Sequence, residues 1–277
     1  MRWRLSLALI ASATASPADP LTHLRNIPLT GLGGISAIEV EADGAAALVL
    51  SDRGTGHRFA ISRNESSGRI SDIRAIRLPF PDRDTEGLAI SGADVFISYE
   101  DPGNISTLNG DILPSPREFN ALPRNGALEA LAATPDGVIY TIPENPRTRG
   151  GPIPIYRFAG DRWSVAAALP RAEGFRPTGA DFGPDGLLYV LERSFSPLGF
   201  RTRIRRIDLQ ADPPVAETLL KTSLGTHDNL EGISVWRSNS GATCLSMVSD
   251  NNFLSVQASE LIEYALTETL AGGARCD

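Results

Sequence analysis

The chain is poor in the side chains that hold zinc or carry out covalent catalysis. Its 277 residues include three histidines and two cysteines, too few and too scattered for a zinc site. It contains no G-x-S-x-G elbow, no Walker A loop, no H-E-x-x-H and no R-H-G of the histidine acid phosphatases. These absences argue against the common covalent and zinc-dependent hydrolases, and they leave metal-assisted hydrolysis through oxygen ligands.

Clusters of basic residues are missing as well. No run of consecutive basic residues is longer than two, and the net charge is −7. Because a phosphate backbone requires clustered lysines and arginines, this charge distribution argues against a nucleic-acid partner. A small anionic substrate is the partner we expect instead.

No apolar run is long enough to span a bilayer. The apolar stretch at the start, Leu5–Ala13, follows Arg2 and Arg4, and Ala13-Thr14-Ala15 then forms a small-x-small cleavage site. We therefore expect a signal peptide over residues 1–15, a periplasmic or secreted location, no membrane anchor after cleavage, and one domain over 16–277. An uncleaved N-terminal anchor is the alternative.

Five segments of the chain repeat one pattern of a polar, a small and an apolar residue, followed by an apolar run and an acid. The opening residues are Ser36, Glu86, Glu129, Thr178 and Glu231, and the closing acids are Asp52, Glu100, Glu144, Glu192 and Asp250. In three repeats an Asp-Gly pair follows seven residues after the opening residue, which fixes the register. Spacings of roughly 44 to 58 residues between closing acids are typical of propeller blades.

Short β runs separated by turn residues predict an all-β propeller. The first, third and fourth repeats each contain four such runs, whereas Pro114, Pro116 and Pro123 interrupt the second and the fifth has only three. An N-terminal run at Thr22–Leu29 can complete the fifth blade and close the ring without a long open edge. We predict five blades, with six as the alternative if residues 101–125 contain a degenerate blade.

Propeller geometry predicts where the repeated acids lie. The first strand of each blade lines the central channel, so the opening residues should form an inner ring at one end, with the closing acids in a wider ring above it. Acids crowded at an axis cannot all ionise without a counter-charge, and ligands that are all oxygen suit Ca²⁺. The alternative is that the acids cap blade turns. The predicted calcium ligands are Ser36, Glu86, Glu129, Thr178 and Glu231.

The outer ring supplies the candidate catalytic groups, which would hold ions or orient water. They are Glu100, Glu144, Glu192 and Asp250. Arg53 and Arg193 directly follow closing acids and would bind substrate oxygens, unless they serve only as ion-pair partners of those acids. His227, in a loop near the same face, is a further candidate for substrate binding or for a general base; a solvated loop histidine is the alternative.

The two cysteines, Cys244 and Cys276, can form a disulfide in an oxidising compartment. Such a bond would join the C-terminal tail to the last blade. The alternative is one buried thiol and one thiol on a frayed tail.

The repeat motifs resemble those of one family. The segments GGISAI, DTEGLAI, GALEALA, LLYVLER and DNLEGIS with SDNNF are similar to exported bacterial phytase-like proteins, across Leu21–Leu266. This resemblance implies a β-propeller and hydrolysis of phosphoric esters or esters. A looser similarity to five-bladed calcium-dependent apyrases implies an axial calcium at the inner ring, where Thr178 stands in place of a serine.

The predicted function is therefore that of an exported, monomeric, calcium-dependent hydrolase of phosphoric esters. One alternative is a non-catalytic propeller that binds a ligand or a protein and uses an axial calcium for stability. A calcium-dependent lactonase or carboxylesterase is the other.

Overall fold

The structure is a computed structural model that describes residues 11–12, 20–124, 126–146, 150–251 and 259–277. Over these ranges it contains twenty strands and two short 3-10 helices. None of the described helices is long and apolar enough to cross a membrane. Most of the predicted signal peptide lies outside the described residues.

The strands form five sheets. The chain starts with β1 (Ala11–Ser12) and β2 (Leu21–Pro28). Blade one has β3 (Ile35–Val40), β4 (Ala46–Ser51), β5 (Thr55–Arg63) and β6 (Gly68–Ile76). Blade two has β7 (Thr85–Ser91), β8 (Asp94–Tyr99) and β9 (Asn104–Thr107). Blade three has β10 (Ala130–Ala133), β11 (Ile139–Ile142), β12 (Ile153–Ala159) and β13 (Arg162–Leu169).

The last two blades differ in how they are completed. Blade four has β14 (Arg176–Phe182), β15 (Leu188–Ser196), β16 (Gly199–Asp208) and β17 (Val215–Lys221), and β1 adds to β17 in parallel. Blade five has β18 (Asn229–Arg237), β19 (Thr243–Asp250) and β20 (Glu260–Leu266). Its outer strand is β2, which pairs antiparallel with β20 from Leu21 to Pro28. The predictions of five blades and of closure by an N-terminal strand are confirmed.

Blade two has three strands. The proline-rich segment that follows it packs against blade three and does not form a sixth blade. Its 3-10 helix, Phe119–Ala121, places Phe119 against Tyr156 and Trp163 of blade three. Proline cannot donate to a β ladder, so the prolines of this segment explain why a fourth strand is not formed.

The hydrophobic core is divided into five clusters, one in each interface between neighbouring blades. At the centre, the inner strands β3, β7, β10, β14 and β18 lie side by side around the channel. A Cβ atom on Gly232 would lie 2.8 Å from the Cα atom of Ala37, and one on Gly179 would lie 2.8 Å from the Glu231 carbonyl oxygen. The glycines of the fourth and fifth repeats are therefore required by the close approach of adjacent blades.

A disulfide joins Cys244 of β19 to Cys276 of the C-terminal tail. The tail is held further by Arg25, whose guanidinium donates to the Cys276 carbonyl oxygen at 2.8 Å. The prediction of this disulfide is confirmed.

Candidate functional site

In four of the five blades the opening residue leaves the β ladder at the start of its inner strand, and in blade three Glu129 directly precedes β10. Pairing slips between Ile35 and Ala37 in blade one, and equivalent slips occur in blades two, four and five. A bulge of this kind re-aims the extra residue away from the sheet. All five opening residues line the channel, as the sequence predicts: Ser36, Glu86, Glu129, Thr178 and Glu231.

The channel between these residues is narrow, with a volume of about 10 Å³, room for about one water molecule. Its two hydroxyl groups donate hydrogen bonds to the next blade. Ser36 Oγ donates to the Thr85 carbonyl oxygen at 2.6 Å, and Thr178 Oγ1 donates to the Leu230 carbonyl oxygen at 3.1 Å. These hydroxyl groups therefore tie adjacent blades together at the channel.

Above the channel lies a cavity of about 240 Å³, here called the acidic cavity. Its wall includes one guanidinium group, that of Arg193, and eight carboxyl groups. The eight acids are Asp52, Asp84, Glu86, Glu100, Glu129, Glu144, Glu231 and Asp250. Ionising eight carboxyl groups around one guanidinium group in a partly desolvated space costs free energy, because the carboxylates repel one another. A bound metal cation would offset this repulsion.

Burial and mutual repulsion raise the pKa values of several of these acids. Burial is the larger cause for Glu86 and Glu129, whose pKa values rise well above the usual range. The charge of Glu129 adds to the effect on Glu86, and the charges of Glu144 and then Glu231 add to the effect on Glu129. The pKa of Asp84 rises to about 7 through burial and then the charge of Glu100. The pKa of Glu231 also rises to about 7, because burial outweighs the opposing charge of Arg193.

One group of acids has the geometry of a cation site. Oxygen atoms of Asp84, Glu86 and Glu100 all lie within 4.8 Å of one another. Asp84 Oδ1 is buried without a hydrogen-bond partner among the described residues, whereas Glu100 Oε1 accepts from the Gly126 amide at 2.7 Å. An all-oxygen set with a buried lone pair left unused fits Ca²⁺. This group lies on the blade-two side of the cavity.

Arg193 lies on the blade-four side of the cavity. Its guanidinium donates to Glu231 and to the Asn229 side-chain oxygen, and it lies 3.3 Å from Glu144 Oε1. Burial works against its charge, but Glu231 and then Glu144 outweigh burial and raise the pKa of the guanidinium. Glu231 is thus already paired with a cation, which makes it a weaker candidate for a calcium ligand than Asp84.

Glu192 does not line the acidic cavity, which corrects its predicted place in the outer ring. Strand β15 continues to Ser196, so Glu192 lies within the strand, with its side chain on the opposite face from that of Arg193. Its carboxylate is 1% exposed and accepts paired hydrogen bonds from Arg203 and Arg205, at 2.5 to 3.0 Å. Blade four therefore presents an arginine to the cavity where the other blades present an acid.

Two predicted substrate-binding residues, Arg53 and His227, also lie outside the lining of the acidic cavity, and Thr178 lines the channel but not this cavity. Arg53 is exposed, and its charge opposes the effect of burial, which raises the pKa of the neighbouring Asp52. The His227 Nε2 atom lies 2.8 Å from the Tyr264 hydroxyl group. Burial first, and then the charge of His23, lowers the pKa of His227. The remaining predicted acids, Glu100, Glu144 and Asp250, do line the cavity.

The sequence interpretation missed Asp84 and Asn229. Asn229 donates to Glu231 Oε1 at 2.6 Å and accepts from Arg193, so it orients both charged groups. Each missed residue stands two positions before the opening residue of its repeat, and Arg176 holds the same position in blade four. An alignment of the repeats that started two residues before the opening residue would have identified both positions.

Comparison with known proteins places the chain in a family. The family model described as "Phytase-like: Esterase-like activity of phytase" matches residues 30–253, and no curated protein matches the chain. Among solved structures, "YCF48 bound to D1 peptide" is 12% identical, with 91% of this chain and 96% of that chain covered and a TM-score of 0.36. An endo-arabinase from Bacteroides thetaiotaomicron is 14% identical, with 85% and 95% covered and a TM-score of 0.48. Because the family model spans most of the propeller, the chain belongs to the phytase-like family.

Proposed function

We propose that this protein is a calcium-dependent hydrolase of phosphoric esters that acts at the acidic cavity. The observation that carries the proposal is the cavity wall, in which eight acids face one arginine. The unpartnered Oδ1 atom of Asp84 adds a ligand position for a cation beside Glu86 and Glu100. When bound, a calcium ion would supply positive charge to phosphoryl oxygens and acidify a water molecule.

The substrate would approach beside Glu144. Glu144 Oε1 lies 3.3 Å from the Arg193 guanidinium, and its Oε2 lies 3.4 Å from Arg176. The guanidinium groups of Arg176 and Arg193 can bind phosphoryl oxygens. The Glu144 carboxylate between them can then accept a proton. Asn229 holds Arg193 in position through its side-chain oxygen.

The reaction assigned to this arrangement is the attack of water on phosphorus. The water oxygen forms a bond to phosphorus while the ester P–O bond breaks, and Glu144 takes the proton that the water loses. The leaving oxygen departs as the alcohol or its anion, with any proton supplied by solvent. Arg193 and Arg176 neutralise negative charge that develops on the phosphoryl oxygens. Glu100 and Asp250 hold the cation or orient the water.

Hydrolysis of 4-nitrophenyl phosphate by purified protein, with added calcium and with a chelator, tests the proposal. We expect turnover with calcium and its loss with the chelator. Glu144→Gln should lower kcat by about 10²-fold, the usual scale for a positioned acid–base group. Asp82→Asn is the matched control, because Asp82 is exposed in the loop before blade two and lies outside the cavity wall. Calcium-loaded protein that hydrolyses no phosphoric ester would favour a binding propeller instead.

We also propose that the protein works in an oxidising compartment after export. The Cys244–Cys276 bond supports this, because structural disulfides persist mainly outside the reducing cytosol. N-terminal sequencing of protein recovered from the periplasm or medium should find a start near Ser16. Recovery of exported material that retains Met1 would contradict cleavage.

A further inference from the structure

The hairpin of blade four reaches beyond the acidic cavity. Strands β15 and β16 remain paired from Arg193 to Ser196, and the turn at Pro197 and Leu198 connects them. Phe195 stands two residues after Arg193, and alternate residues of a strand share a face. It therefore extends from the same side of β15 that delivers Arg193 to the cavity.

The hairpin carries exposed apolar side chains. Phe195 is 70% exposed and Leu198 is 83% exposed. Leu224 is also exposed and adjoins the hairpin, since the next residue, Gly225, donates its amide proton to the Phe200 carbonyl oxygen. Only two other large apolar residues are exposed in the described part of the chain, Ile73 and Ile112, and both are less exposed than Phe195 and Leu198. A cluster of exposed apolar side chains indicates a binding surface more often than single exposed apolar side chains do.

A second cavity, here called the aryl pocket, lies under this hairpin. It has a volume of about 390 Å³ and is lined by Glu144, Gly174, Arg176, Arg193, Phe195, Phe200 and Asn229. Three of these residues, Glu144, Arg193 and Asn229, also line the acidic cavity, so the two spaces adjoin. The rings of Phe195 and Phe200 have centroids 5.2 Å apart, and the Arg193 guanidinium lies 6.0 Å from the Phe200 ring.

We propose that the aryl pocket binds the aromatic leaving group of a phosphoric monoester, with the phosphoryl group held between Arg176 and Arg193. This inference rests on the proposed function and names its substrate class. An aromatic ring can pack on Phe195 and Phe200 while its phosphoryl oxygens remain within reach of the guanidinium groups. The aromatic and cationic parts of the pocket thus match the two ends of an aryl phosphate.

The chemistry of the leaving group agrees with this assignment. Apart from Glu144, the described residues that line the aryl pocket include no carboxyl, histidine or tyrosine side chain that would protonate a leaving oxygen. A phenol has a pKa of about 10, like tyrosine, so its anion can leave unprotonated. Water attacks phosphorus, its proton goes to Glu144, the P–O bond to the ring breaks, and solvent later protonates the phenolate.

The test compares phenyl phosphate with glycerol phosphate for wild-type protein and for Phe195→Ala and Phe200→Ala. Each variant should lower kcat/KM for phenyl phosphate about tenfold, the scale of an aromatic contact. Phe195→Ala should change kcat/KM for glycerol phosphate less than twofold, and Phe200→Ala should lower it by less than it lowers the value for phenyl phosphate, because Phe200 also lies against Arg193. Ile73→Ala is the control, because Ile73 is an exposed large apolar residue of β6 in blade one and lines neither the acidic cavity nor the aryl pocket. Equal losses for both substrates, or no loss for either, would overturn the assignment.

Binding of phenylphosphonate, which cannot be hydrolysed at its P–C bond, separates this inference from the proposed function. Calorimetry should show about tenfold weaker binding to Phe195→Ala than to wild type, with methylphosphonate binding unchanged. If the wild type binds phenylphosphonate in this way but hydrolyses neither ester, the aryl pocket stands and the hydrolase proposal fails. If the wild type hydrolyses esters but Phe195→Ala binds phenylphosphonate normally, the aryl pocket fails alone.

Discussion

At the scale of single residues, the partners of each acid decide whether it serves the site or the fold. Asp84 has a buried oxygen without a partner, whereas Glu192 is surrounded by two guanidinium groups. Asp84 directly precedes the inner strand β7, and Glu192 lies within the second strand β15. Their partners assign Asp84 to cation binding and Glu192 to stability.

Removal of the Glu192 carboxylate should destabilise the protein strongly. Glu192→Ala would leave the buried guanidinium groups of Arg203 and Arg205 without their counter-ion, which costs about 3–5 kcal/mol in comparable buried pairs. Urea unfolding measures this cost. The control is Glu217→Ala, which breaks a more exposed pair with Arg206 and should cost less than about 1 kcal/mol. Equal stability of the two variants would contradict the structural assignment of Glu192.

Two buried acids, Glu39 of β3 and Asp181 of β14, should make the stability of the protein depend on pH. Burial raises the pKa of Glu39 well above its usual range, with the charge of Asp181 as the next cause, and burial raises the pKa of Asp181 to about 7. Unfolded acids titrate near pH ~4, so the native state binds more protons between about pH 4 and pH 7. The free energy of unfolding contributed by this pair therefore falls as pH rises through that window.

The variant Glu39→Gln tests this dependence. It removes one titrating partner, so the fall in unfolding free energy between about pH 4 and 7 should be shallower, by up to about 1 kcal/mol per pH unit. Urea denaturation at several pH values, with chelator present throughout, gives the slopes for the variant and the wild type. Identical slopes would show that the pair does not titrate in this range.

At the scale of elements, the inner strands explain why the repeat pattern could be interpreted from the sequence. In blade five the residue at the bulge, Glu231, faces the channel. The next residue, Gly232, must be small because the adjacent inner strand lies against it. These two constraints appear directly as the polar-small-apolar triplet. By contrast, the sequence does not reveal that Arg193, and not Glu192, pairs with Arg176 as Asp250 pairs with Asn229. This pairing places Arg193 at the cavity and Glu192 on the other face of β15.

Substitution within the triplet tests the packing of the inner strands. Gly232→Ala would place a Cβ atom 2.8 Å from the backbone of Ala37, which side-chain movement cannot relieve. We expect a loss of about 1–3 kcal/mol in unfolding free energy, as for other overpacked sites. Gly103→Ala is the control, because its nearest neighbour is a side-chain atom at 3.3 Å. A fully stable Gly232→Ala protein would contradict the close approach of the blades.

At the scale of the whole molecule, the two ends of the described propeller meet in blade five. Strand β2 closes the ring against β20, and the Cys244–Cys276 bond fixes the tail to β19. Ring closure could be predicted from a count of β runs, because the fifth repeat has only three and the run at Thr22–Leu29 was available to complete it. The arrangement of ion pairs could not be predicted, because it depends on which side chains share a face after the blades have packed.

Loss of the disulfide should weaken the closed ring. The two cysteines are 32 residues apart, and a loop of that length corresponds to about 3–4 kcal/mol in the chain-entropy model. Cys276→Ser should lower the unfolding free energy by about this amount, and a reducing agent should do the same to the wild type but not to the variant. Stability that is insensitive to both changes would contradict a structural role for the bond.

The thermal stability of the wild-type protein in calcium and in chelator tests the central claim, that the acidic cavity holds a cation. Calcium at a hundredfold excess over its Kd should stabilise the native state by about 2.7 kcal/mol, which corresponds to a rise in Tm of roughly 5–10 °C for a domain of this size. The variant Asp84→Asn, which weakens the cluster with Glu86 and Glu100, should lose most of that rise, and Asp82→Asn should keep it. A wild-type Tm that is the same in calcium and in chelator would contradict the claim.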